Sequence, residues 1–158
     1  MDFNIKRITN VKVTVFDLDG NVIDVQEFHN LITTVALNML RDGLAGDVTD
    51  FEIKALTVGD DNTAPTMADT VLGNETFRKA TTATDKPAAG QFKHTVYITP
   101  SEAVGTIEEL GWVAGAAVNT ASPAGADTGI MISHVLYSRT KTALESIQVE
   151  RTDTFAEG

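Results

Sequence analysis

Residues 28–46, FHNLITTVALNMLRDGLAG, form the one stretch of this sequence with clear helical periodicity. Apolar side chains recur there at the spacing of a single helix face: Ile32, Val35, Ala36, Met39, Leu40 and Leu44. Asn30 is the predicted N-cap, because its side-chain oxygen can accept an unpaired N–H of the first turn. Gly46 is the predicted C-terminal cap, since glycine adopts the left-handed conformation readily. We therefore expect a helix over about residues 32–44 that packs on one face of a β-sheet.

The residues before this stretch predict a β-hairpin over 5–26. Val11, Val13 and Val15 alternate with polar residues, which is the pattern of a half-buried strand. The sequence Asp-Gly-Asn at 19–21 tolerates the positive φ of a tight turn, and residues 22–25 form the returning strand. Loops of two or three residues both fit, so the register stays open.

The residues after the helix predict strands separated by polar or small-residue loops. The predicted strands are 51–58, 75–83, 90–99, 105–114, 130–138 and 143–150. The predicted loops are 59–68, the surface connector 84–89 and the flexible, nearly uncharged 115–129. Residues 1–10 are expected to form an extended arm, and residues 151–158 a tail that frays or reaches a neighbour. The prediction is one mainly β domain over 1–158, an antiparallel β-sandwich or barrel with an N-terminal hairpin and one packed helix.

Composition excludes several classes of function. The chain has 22 acidic and 12 basic residues, a net charge of −10, which argues against nucleic-acid binding because a phosphate backbone requires clustered cations. Membrane insertion is not expected, because no apolar run approaches the length of a membrane span and Arg41 is the one cation on the polar face of the helix. Without cysteine, stability must come from packing or oligomerisation.

The hairpin sequence VTVFDLDGNVID, residues 13–24, resembles the first motif of haloacid-dehalogenase-like phosphatases. In that family the first Asp attacks phosphorus and the second is the acid/base, beside magnesium, which assigns these roles to Asp17 and Asp19. However, that fold needs alternating strands and helices, and Lys54 is only five residues before the acidic Gly59-Asp60-Asp61. A hairpin turn is already a sufficient explanation of Asp-Gly between two alternating strands. A magnesium-dependent phosphatase is therefore only the third hypothesis, after the two structural roles given below.

No other pattern predicts a chemical site. Asp60, Asp61 and Asn62 could ligate calcium but lack the longer pattern of a calcium loop, so a turn is expected. His29, His94 and His134 are scattered without metal-binding spacing. Nucleophile elbows, phosphate loops and dinucleotide fingerprints are missing from the sequence. We therefore expect a protein that is not an enzyme and has no cofactor and no metal.

The sole tryptophan, Trp112, follows Gly111 in a predicted strand. We expect it to be a core or inter-subunit aromatic residue, because large rings contribute most to packing. A sugar-stacking platform is the alternative.

Five motifs in one order, over about 140 residues, resemble small structural proteins of tailed bacteriophages, described as tail-fibre or minor tail proteins. The motifs are VTVFDLDGNVID, NLITTVALNMLRDGLAG, LTVGDDNTAPTMADTVLGNETFRK, IEELGW and HVLYSRTKTALESIQVE. The chain departs from that family at Asp60-Asp61, where a glycine is frequent, at Trp112, in place of a Leu-Phe pair, and in the long Ala/Gly loop.

This resemblance implies a non-enzymatic structural protein of the virion, assembled in the host cytoplasm and located in the tail. A capsid decoration protein is the alternative. The implied partners are further copies of the chain, as a homotrimer, and other virion proteins, with a host cell-surface glycan or protein as a further candidate. The exposed edge of the hairpin is expected to form contacts between subunits. The individual interface candidates are Phe3, Ile5, Trp112 and Val118.

Overall fold

The computed structural model describes residues 5–158. In chain order the elements are β1 (Ile5–Asp17), β2 (Val22–His29), β3 (Leu31–Ile32), α1 (Thr34–Ala45), β4 (Ile53–Gly59), β5 (Glu75–Ala80), β6 (Ala83–Asp85), β7 (Gln91–Ile98), β8 (Gly105–Ala114), β9 (Ile130–Lys141) and β10 (Glu145–Glu157). Sheet A has the order β2-β1-β10-β7-β6, and sheet B has the order β3-β9-β8-β4-β5. All the pairings are antiparallel. The predicted mainly β, sandwich-like fold with an N-terminal hairpin and one helix is confirmed.

The core lies between the inner faces of the two sheets. Val11, Val13 and Val15 of β1 are buried, as their alternation with polar residues predicts. From sheet B, Leu56, Leu110 and Trp112 pack into the same cluster. A second, smaller cluster lies on the outer face of sheet B and contains Ala55, Leu72, Val113 and Met131, with Val118 against it.

Helix α1 packs on β9 through a narrower apolar face than the sequence predicts. Ala36 and Met39 are buried, but Leu44 is 80% exposed, so its predicted burial is wrong. The prediction of Asn30 as the N-cap is also wrong. β3 pairs with β9 and keeps the chain extended through Ile32, so the helix begins later and Thr33 is the cap.

The hydrogen bonds at the two helix ends explain these boundaries. Thr33 Oγ1 accepts a hydrogen bond from the Ala36 N–H at 3.2 Å and donates one to the Met131 carbonyl at 2.5 Å. The second bond fixes the start of the helix to sheet B. At the other end Gly46 has a φ of 84°, as predicted for a left-handed C-terminal cap.

The expectation that residues 151–158 fray is wrong. β10 continues to Glu157 and pairs with β1 over its whole length, from Ile5↔Glu157 to Asp17↔Glu145. For the same reason residues 5–10 are not an arm but part of β1, whereas residues 1–4 lie outside the described residues. The polar residues at 151–153 do not indicate a surface tail, because Arg151 and Asp153, both 0% exposed, form an ion pair inside the protein.

The buried ion pair is bidentate and has further partners. Arg151 donates from Nε to Asp153 Oδ2 at 2.6 Å and from Nη2 to Oδ1 at 3.0 Å. Arg7 and Thr9 of β1 also donate to Asp153, at 2.7 and 2.6 Å, and Arg151 donates to Ser133 of sheet B. A buried charge is tolerated only when it is paired and hydrogen-bonded, which this arrangement achieves.

Met39→Asp should destabilise the protein by about 3 kcal/mol, because it places an unpaired charge on the buried face of α1. Asn38→Asp is the matched control on the exposed face, with an expected change within about 0.5 kcal/mol. Urea unfolding measures both. Equal losses of stability in the two variants would show that the helix packs through a different face.

The acid ionisation of Asp153 should make stability depend on pH. Burial alone raises the pKa of this carboxyl, but Arg151, Arg7 and the Thr9 hydroxyl together hold the pKa at about 2, below the ordinary 3.8. The ionised carboxylate therefore contributes about 2 kcal/mol to the free energy of unfolding. This contribution is fully present above about pH 4 and is lost as the pH falls towards about 2.

Asp153→Asn should make the acid-side slope of the urea unfolding free energy shallower, and the other carboxyls whose pKa is lowered, such as Glu145 beside Arg139, should account for the slope that stays. It should also cost about 3–5 kcal/mol at pH 7, because Arg151 is left buried without its counterion. Glu157→Gln is the control, since this exposed carboxylate lies in the same strand. A full acid-side slope in Asp153→Asn would assign the pH dependence to other groups.

Candidate functional site

Asp17 organises the turn of the hairpin. Its Oδ1 accepts hydrogen bonds from the N–H groups of Asp19 at 2.9 Å and Asn21 at 2.8 Å, and its Oδ2 accepts one from the Asn21 side chain at 3.0 Å. The hydrogen bonds from Asn21 hold the pKa of Asp17 below its ordinary value. Gly20 has a φ of 84°, and residues 18–21 form the loop, which is longer than the two or three residues predicted. The Asp-x-Asp-Gly sequence thus has a structural role, and the sheets around it are antiparallel rather than the parallel sheet of the phosphatase fold.

An apolar patch lies on the outer face of sheet A near the hairpin turn. Strand register places Val25, Thr14, Gln148 and Tyr97 in one cross-strand row, and Val22, Phe16 and Ser146 in the next. Its large apolar side chains are accessible to a partner, because much of each is exposed: Leu18 61%, Val22 55%, Ile23 52%, Val25 47% and Tyr97 40%. A groove of about 260 Å³ crosses it between Phe16 and Tyr97. These residues, Phe16, Leu18, Val22, Ile23, Val25 and Tyr97, are called the hairpin patch below.

The hairpin patch borders a free strand edge. β2 is an outer strand of sheet A and pairs with β1 only, so its other edge presents backbone N–H and C=O groups without a strand partner among residues 5–158. Leu144, 68% exposed, adjoins Glu145, which pairs with Asp17, and so extends the apolar surface beside the turn. The other half of the sheet face is charged, with Lys12 beside Glu27 and Lys93 bound to Glu150 at 3.1 Å. Protein interfaces usually have an apolar core and a polar rim, and the apolar half of this face has the composition of such a core.

The outer face of sheet B is instead covered by two loops. Arg78, 2% exposed, binds residues 115–129 by donating to the Asn119 carbonyl at 2.8 Å and to Thr128 Oγ1 at 2.9 Å. The same guanidinium pairs with Glu75 at 2.6 Å. The second loop, residues 60–74, places Leu72 in the smaller apolar cluster.

The predicted interface residues lie in different environments. Trp112 is 0% exposed in the main core cluster, so the expectation of a core residue is confirmed. The alternatives of an interface residue and of a sugar-stacking platform are wrong, because the ring is not accessible. Val118 is half-buried against the smaller cluster, and Ile5 is 67% exposed at the start of β1. Phe3 lies outside the described residues. The sequence could not identify the hairpin patch fully, because Tyr97 is far from the hairpin along the chain.

The three histidines do not come together. His29 is exposed at the end of β2. His94 is 4% exposed, and its Nδ1 lies 2.9 Å from Thr84 Oγ1. Burial, and then the charge of Arg151, lower the pKa of His94, which keeps the ring neutral.

His134 fixes the loop over residues 60–74 to sheet B. Its Nδ1 is 2.8 Å from Asp69 Oδ2, and its Nε2 is 2.8 Å from Glu109 Oε2, although Nε2 is not aligned for a hydrogen bond with this oxygen. Glu109 also accepts hydrogen bonds from the N–H groups of Gly73 and Asn74, at 3.1 and 3.0 Å. The sequence did not indicate this cluster, because a loop and two strands contribute to it.

Asp60 and Asp61, where the sequence predicts a turn rather than a calcium site, accept hydrogen bonds within the loop over residues 60–74. Asp61 accepts a hydrogen bond from the Thr63 N–H at 2.6 Å, and Asp60 accepts one from the Asn74 side chain at 2.6 Å. Across residues 5–158, no group of three or more His, Asp or Glu side chains is arranged to hold a metal ion. Within the same range, no helix is both long and apolar enough to cross a membrane.

Comparisons with known protein families, with curated proteins and with solved structures find no match to this chain.

His134→Ala should destabilise the protein by about 3 kcal/mol, because it removes the buried side chain that lies between Asp69 and Glu109 and leaves a cavity there. Hydrogen exchange should then accelerate at the amides of residues 60–74 and remain unchanged in β1 and β10. His29→Ala is the control at an exposed histidine. Unchanged exchange in residues 60–74 of His134→Ala would mean that other contacts hold this loop.

Proposed function

We propose that the chain is a non-enzymatic structural subunit of a tailed-bacteriophage particle, located in the tail, which acts by assembling with further copies of itself. The five ordered sequence motifs support the virion assignment. The single observation that carries the assembly role is the hairpin patch, where four apolar side chains of one hairpin are each more than 45% exposed beside a free strand edge. Exposed apolar side chains that lie together on a surface often mark an interaction site.

A cyclic trimer requires two different surfaces on each subunit, because its contacts are head-to-tail. The hairpin patch is one candidate. The other is the outer side of α1, where Leu37 and Leu44 are 45% and 80% exposed and lie seven residues apart, on one helix face. Burial of both surfaces would supply the stability that disulfides cannot provide in a chain without cysteine.

Sedimentation equilibrium tests this assembly. The wild-type chain, of 16.9 kDa, is expected to have three times this mass. Val25→Lys should weaken association at least about tenfold, since a lysine in the contact must be desolvated. Ala80→Lys is the matched control, because it places the same charge on β5, an outer strand of the other sheet.

Two results would contradict the assembly proposal. One is an unchanged trimer in Val25→Lys with a normal melting temperature. The other is a wild-type monomer at high concentration that makes no subunit contact in a reconstructed particle.

Location in the particle separates the tail subunit from a capsid decoration protein. Immunogold labelling should place a few copies at the tail, whereas a decoration protein would cover the head.

Hydrolysis of p-nitrophenyl phosphate that is lost in Asp17→Asn would contradict the non-enzymatic assignment.

A further inference from the structure

A pocket of about 480 Å³ opens at the end of the sandwich away from the hairpin turn. Residues 49–53, which lead into β4, form one wall, and Thr84 and Lys86 form another. Phe92 and His94, near the start of β7, complete the lining, whereas Tyr97 of the hairpin patch lies near the end of the same strand. The volume is within the range of sites that hold small molecules. This cavity is called the end pocket below.

The apolar part of the end pocket consists of Phe51, Ile53 and Phe92. The Phe51 ring rests against the backbone of α1 at Gly43, where an added Cβ would lie 2.9 Å from two ring carbons. Phe51 is nevertheless 41% exposed, so part of the ring stays accessible. The Phe92 ring contacts His94 edge-to-face, with centroids 5.5 Å apart. Both phenyl rings therefore have a neighbour that restrains them.

The polar part of the lining contains acceptors and donors together. Asp50 is already paired with Lys54 at 2.5 Å, whereas the exposed side chains of Glu52 and Lys86 lie at the opening. Thr84 and His94, bonded to each other at 2.9 Å, add a hydroxyl and an imidazole. A carboxylate accepts hydrogen bonds and an ammonium donates them. This opening therefore suits a ligand that can both donate and accept hydrogen bonds.

We propose that the end pocket binds a neutral, hydroxyl-bearing ring, the chemistry of a pyranose sugar. The phenyl rings contact the C–H face of the ring, and Glu52, Lys86 and Thr84 bind its hydroxyl groups. The opposite charges of Glu52 and Lys86 offset each other, which disfavours a ligand carrying a net charge of either sign. The inference does not depend on assembly, because the end pocket and the hairpin patch lie at opposite ends of β7.

Saturation-transfer NMR on the full chain tests the inference. The probes are the methyl glycosides of glucose, galactose and mannose, with N-acetylneuraminic acid and choline as anionic and cationic comparators. Wild-type protein should transfer saturation to at least one neutral glycoside at millimolar concentration. Phe51→Ala and Glu52→Ala should each weaken that binding about tenfold.

Glu27→Ala is the matched control, because Glu27 is an exposed carboxylate outside the end pocket. It should leave the transfer unchanged, and melting temperatures should show that every variant is folded. The inference is overturned if no neutral glycoside receives saturation, if transfer persists undiminished in both pocket variants, or if only choline or N-acetylneuraminic acid binds. A Val25→Lys variant that is monomeric yet still binds the glycoside would separate this inference from the proposed assembly.

Discussion

The pairing of β1 with β10 is the constraint on which the rest of the structure depends. The two ends of the described chain lie side by side over thirteen residues, from Ile5↔Glu157 to Asp17↔Glu145, at the centre of sheet A. β2 and β7 are then added to the outer sides of this pair. The contacts are as non-local as the chain allows, so sheet A cannot be complete until the last residues of β10 are present.

Buried charged side chains reinforce this long-range pairing. Asp153 of β10 binds Arg7 of β1 and Arg151 of its own strand, and Arg151 reaches Ser133 of sheet B. The network therefore joins neighbouring strands and both sheets at one place. Such buried charges add little stability compared with apolar residues of the same size, but the loss of one partner is costly. They restrict the chain to the register in which every charge is paired.

The two sheets differ in what covers them, and this difference separates the candidate functional surfaces. Loops that Arg78 and His134 hold in place cover the outer face of sheet B. The outer face of sheet A is exposed at Val25 and Tyr97 and is the surface proposed for assembly. The end pocket uses neither face, because it opens between the sheets beside Phe92. The assembly proposed for the hairpin patch and the ligand binding proposed for the end pocket would therefore use separate surfaces.

The sequence by itself determined the elements whose signals are local. Alternation at Val11, Val13 and Val15 predicts β1, and a glycine at position 46 predicts the helix end, because each depends on residues a few positions away. Tertiary structure alone decided that Arg151 is buried, that Thr33 rather than Asn30 caps α1, and that Trp112 is inaccessible. Each of these depends on residues distant in sequence. Arg151 bonds Ser133, and its counterion Asp153 is also bound by Arg7; Thr33 bonds the Met131 carbonyl; and Trp112 is covered by the opposing sheet. Composition marks such residues as polar or aromatic, but only the packing of the two sheets determines which environment they occupy.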